Sequence, residues 1–76
     1  MNDKKRKKLR QAMAFLRSAG DIVSAVLDEE QDDLDNIPDG LSESDRYTGM
    51  ENAIDAMEKA ADNIDSAIED LEEASV

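Results

Sequence analysis

The chain has no cysteine and no histidine. The first absence excludes a disulfide framework and a thiolate metal site. The second removes the commonest general base and metal ligand. Tryptophan is also missing, and one tyrosine and one phenylalanine are the only aromatics, too few to stack bases or wall a large pocket. The three glycines are scattered, so there is no loop of the kind that cradles phosphates. Six serines, at 18, 24, 42, 44, 66 and 75, have no base at any motif spacing. Glu-x-x-His pairs, on which di-metal bundle sites depend, are absent. No apolar run approaches the ~20 residues needed to span a bilayer, and the basic start is not followed by an apolar signal core. These absences predict a cytoplasmic protein with no catalytic residues, no metal and no cofactor.

What remains is charge and helical periodicity. The 76 residues are 38% charged and carry a formal net charge of −11. The distribution is uneven: +5 over residues 1–27, −7 over 28–42 and −9 over 43–76. A net charge this negative repels nucleic acid and anionic membranes. At this length the chain is a single domain, close to the lower limit for burying its own core.

The second half is the more regular. Tyr47, Met50, Ile54, Met57, Ala61, Ile64, Ile68 and Leu71 follow alternating steps of three and four, the pattern of a coiled-coil seam. From Ile54 on, alanine precedes every a position (Ala53, Ala60, Ala67, Ala74), and an acid follows every d position (Glu51, Glu58, Asp65, Glu72). Such a helix must cover its seam with another helix, and the alanine column allows a partner to come close.

The first half supplies that partner. Leu9, Met13, Leu16, Gly20, Val23, Leu27, Glu30 and Leu34 form a second seam. Beside it runs a further stripe, Ala12, Phe15, Ala19, Ile22 and Val26. Together the two stripes cover roughly half the helix circumference, more than one partner can hide. The pattern therefore predicts an all-α fold: an antiparallel two-helix, coiled-coil-like hairpin that associates into a homo-oligomeric helical bundle. Helix 1 is expected over about 3–35, the elbow over 36–41 and helix 2 over about 42–75. The oligomer interface is expected at Ala12, Phe15, Ala19, Ile22 and Val26.

Local signals set the ends. Asn2 or Asp3 can cap the first helix. Lys4, Lys5, Arg6, Lys7 and Lys8 follow, where cations oppose the helix dipole. Pairing with Glu69, Asp70, Glu72 and Glu73 at the far end of a hairpin accounts for them better than a nucleic-acid patch. Pro38 and Asp39-Gly40 mark the elbow. Ser42 with Asp45 forms a capping-box-like restart. The acid-rich stretch from Asp28 fails as a calcium loop: counted from Asp35, the third position is Ile37 and the twelfth is Arg46.

The stretch from Asp28 to Ala74, with DEEQDDLDNIP, LSESDRY and ENAIDAMEKAADNIDSAIEDLEEA, resembles small acidic helical-hairpin accessory proteins of phages and prophages of Gram-positive bacteria. It covers about two-thirds of the chain. The resemblance implies a non-catalytic role in the host cytoplasm and carries over no functional residues. Three functions are considered, the first two by analogy with other small phage oligomers. The first is an oligomeric inhibitor of host defence that sequesters a small anionic, nucleotide-like ligand between protomers. Its candidate residues are Arg10, Arg17, Ser18, Gly20, Arg46, Tyr47 and Lys59. An elbow near residue 38 puts Arg17 and Lys59 at one height. The second is an acidic DNA mimic that inhibits a DNA-binding host protein, and the third is a structural or adaptor hairpin. The partners expected are a second copy of the chain and either a small anion or a host protein, with no membrane.

Overall fold

A computed structural model describes residues 1–41 and 44–76. Two long helices, α1 (Asp3–Asp35) and α2 (Asp45–Ala74), pack antiparallel on each other, with a short 3₁₀ turn at Asp39–Leu41 between them. There is no strand among the described residues. The molecule is a rod of 59 × 15 × 13 Å.

Each helix begins on a side-chain cap. The Asn2 side-chain oxygen accepts from the Lys5 N–H at 2.8 Å and starts α1. Ser44 does the same for α2, its hydroxyl accepting from the Tyr47 N–H at 3.2 Å. The alternative cap, Ser42, lies outside the described residues. At the elbow the N–H groups of Asn36 and Ile37 return to the carbonyls of Asp32 and Leu34. Pro38, with no N–H to donate, then ends the helix. At the other end the Ser75 hydroxyl donates to the Leu71 carbonyl at 2.6 Å and closes the last turn of α2.

One close approach fixes how the helices face each other. A Cβ built on Gly20 would lie 3.5 Å from Ile64 Cγ2. Stepping from that layer, the two seams match throughout: Met13 with Leu71, Leu16 with Ile68, Leu27 with Met57, Glu30 with Ile54 and Leu34 with Met50. Burial follows the layers. Met13 and Ile54 are 5% exposed and Met50 is 9% exposed, and these three form the buried core among the described residues. The remaining seam residues are half-buried, because a single helix can cover only one side of another.

The hairpin is therefore centred near residue 42, not near 38. Arg17 comes level with Ala67, and Lys59 lies eight residues further toward the elbow, about 12 Å at 1.5 Å per residue. The register also carries the first turns of α1 past the end of α2. Position 10 is level with Ala74, so Lys4 to Lys8 overhang.

Candidate interaction surface

The seam divides the hairpin into two long faces. In an antiparallel pair, residues that follow seam positions on one helix lie on the same side as those that follow them on the other. The Arg17–Glu72 ion pair shows this directly. Each residue follows a seam leucine, and the guanidinium donates to the carboxylate across the helices at 3.2 Å. Ser24 and Gln31 on α1 share this face with Asp65 and Glu58 on α2. It is polar along its whole length.

The opposite face holds the residues that precede seam positions. On α1 these are Ala12, Phe15, Ala19, Ile22 and Val26, flanked by Lys8, Glu29 and Asp33; on α2 they are Gly49, Ala53, Ala56, Ala60 and Ala67, with Arg46 at the elbow end and Asn63 and Asp70 toward the C-terminus. The alanines nearest the seam alternate in height between the two helices, Ala67 level with Arg17 beside Ala19 and Ala60 level with Ser24 beside Val26, and Ala12, Ala19, Ala60 and Ala67 are all half-buried. Phe15 and Ile22 stand beside them at 67% and 65% exposure, with Val26 at 44%. Away from the chain ends, these three are the only exposed large hydrophobic side chains among the described residues. Seven- and four-residue spacings set them within about 40° of one line along α1. Scattered exposed apolar residues need no explanation, but an aligned set does.

The expected interface residues thus gather on one face, joined by an alanine column on α2 that the sequence analysis assigned only to close packing. The earlier signal was the unbroken spacing of Ala53, Ala60 and Ala67. What it did not reveal was that this column and the Phe15 stripe share a side of the hairpin.

The expected ligand-binding residues do not gather. Arg10, Ser18 and Lys59 are exposed at separate heights, and Arg46 and Tyr47 sit at the elbow end of α2. Arg46 lines a shallow groove there with Asp33, Asn36, Pro38 and Ser44. Arg17 and Gly20 line a second groove on the polar face, together with Asp21 and Asp65. Gly20 leaves no void, because Ile64 fills the space beside it. A phosphate in that groove would meet one guanidinium, already paired with Glu72, and two carboxylates.

The basic N-terminus stands apart as well. Arg6 pairs with Asp3 on its own helix at 2.9 Å. Among the described residues no ion pair joins Lys4, Lys5, Lys7 or Lys8 to the C-terminal acids. The overhang explains this, since those lysines lie beyond the last layer of α2. Among the described residues no group of three or more acids is arranged to hold a metal ion, and no helix is long and apolar enough to cross a membrane.

Fold and surface together define an acidic helical hairpin with one polar and one apolar face. Comparisons with family models, curated proteins and solved structures give no match.

Proposed function

We propose that this chain is a non-enzymatic accessory protein of structural or adaptor type that works as a homo-oligomer of hairpins. The observation that carries the reading is the line of Phe15, Ile22 and Val26 left exposed on the apolar face. The surface area supports it. A compact monomer of 8.4 kDa would expose about 4,600 Å², whereas the chain exposes 5704 Å². The excess is about 1,100 Å², more than the ~800 Å² each partner contributes to a standard interface. Resemblance to phage accessory proteins adds a setting, which is inhibition of a host component by binding.

A second reading, the acidic decoy, draws on α2. All ten of its acids are exposed, against two cations, Arg46 and Lys59. Association through the apolar face would leave these carboxylates, Asp70 excepted, pointing outward. Capture of a small anion between protomers draws least support, because Arg17 lies on the polar face beside Asp21 and Asp65.

Light scattering at micromolar concentration tests the main reading. The wild-type chain is expected to be an oligomer, and Phe15→Asp with Ile22→Asp is expected to yield a helical monomer. A monomeric wild type sinks the proposal. A nucleotide-induced rise in melting temperature that Arg17→Ala abolishes would restore anion capture instead.

A further inference from the structure

We propose that the apolar face receives a second copy of this chain head to elbow, α1 on α1 and α2 on α2, about a two-fold axis level with Ala19. The inference rests on the self-association proposed above and adds its orientation and register.

Charge decides the orientation. Six of the nine cations lie within the first ten residues, at the head of the rod, while residues 28–42 at the elbow hold seven acids and no cation. A head-to-head dimer would double both concentrations at close range. A head-to-elbow dimer sets each against its opposite. Both ends of α1 carry charge that opposes the helix dipole, cations at the N-terminus and acids at the C-terminus. A reversed second copy of the same helix relieves the two ends together. The hairpin alone relieves neither: the lysines overhang α2, and of the acids at the end of α1 only Asp35 has a side-chain partner within the helix, Gln31.

Pattern sets the register. A two-fold axis makes an interface isologous, so each column must map onto itself. About the level of Ala19, Ala12 exchanges with Val26 and Phe15 with Ile22. The same operation brings Lys8 against Glu29 and Lys5 against Asp33, and all four lie on this face. Phe15 and Ile22 of the two copies thus cover each other on either side of Ala19, where the small side chain lets the two α1 helices approach closely.

The native absence of cysteine makes the test clean. A single Ala19→Cys variant is expected to form a disulfide-linked dimer with itself on mild oxidation. Ala12→Cys and Val26→Cys are expected to remain unlinked alone and to link when mixed. If Ala19→Cys links only to Ala67→Cys, the dimer is head to head and this proposal fails while self-association stands. If no variant links although the wild type is oligomeric, a different face is used. A monomeric wild type removes both proposals at once.

Discussion

Gly20 sits on a seam where its neighbours carry leucine, valine or methionine. A methyl group there would meet Ile64 Cγ2 at 3.5 Å, an ordinary van der Waals distance. Nothing in the packing requires glycine, and its backbone is helical. Replacing glycine by alanine inside a helix gains about 1 kcal/mol, which in a domain of this size raises the melting temperature by about 4–8 °C. Gly20→Ala is therefore expected to melt several degrees higher by circular dichroism. A lower melting temperature would mean that the site is tighter than its geometry shows. At this scale the sequence offered the position but not its reason. An isolated glycine reads equally as close approach or as room for a ligand, and only the facing residue distinguishes them.

At the scale of the helix, the question is why α1 places cations at its start and acids at its end. If a reversed copy supplies the answer, Lys8→Glu weakens dimerisation by setting glutamate against Glu29, twice per dimer. Adding Glu29→Lys to the same chain restores it. Exposed pairs contribute only ~0–1 kcal/mol each, so the expected change in dimer Kd is several-fold, measured by analytical ultracentrifugation at low salt. A single variant that dimerises as well as the wild type would count against the register. Both seams were legible in the sequence, because steps of three and four survive along more than 25 residues of each helix. Their mutual register was not. It depends on where the elbow turns, and two serines two residues apart, Ser42 and Ser44, could each begin α2. Ser44 is the observed cap, and the centre of the hairpin moves with it. That displacement separates Arg17 from Lys59 and leaves the N-terminal lysines beyond α2.

For the whole molecule, the thin core matters most. Three buried side chains among the described residues, none of them fully so, make a weak base for a rod with a radius of gyration of 17.3 Å, when a compact chain of this length would have about 11 Å. Small helical chains of this kind gain stability by associating. The fold class was readable from periodicity alone, while the sidedness of the surface needed the two helices in place. Stripes on different helices become one face only once their seams are matched layer by layer.

The N-terminal overhang has a consequence for degradation. Lys4, Lys5, Lys7 and Lys8 are exposed on a helix end that extends past α2 and meets no other helix among the described residues, so trypsin should cut there before it reaches Arg17 or Lys59. In a head-to-elbow dimer the same segment lies against the neighbouring elbow and is shielded. The rate of this first cleavage should then fall as protein concentration rises through the dimerisation range, with protease held constant and mass spectrometry reading the fragments. A rate that does not change with concentration would place the overhang in open solvent in every state of the protein.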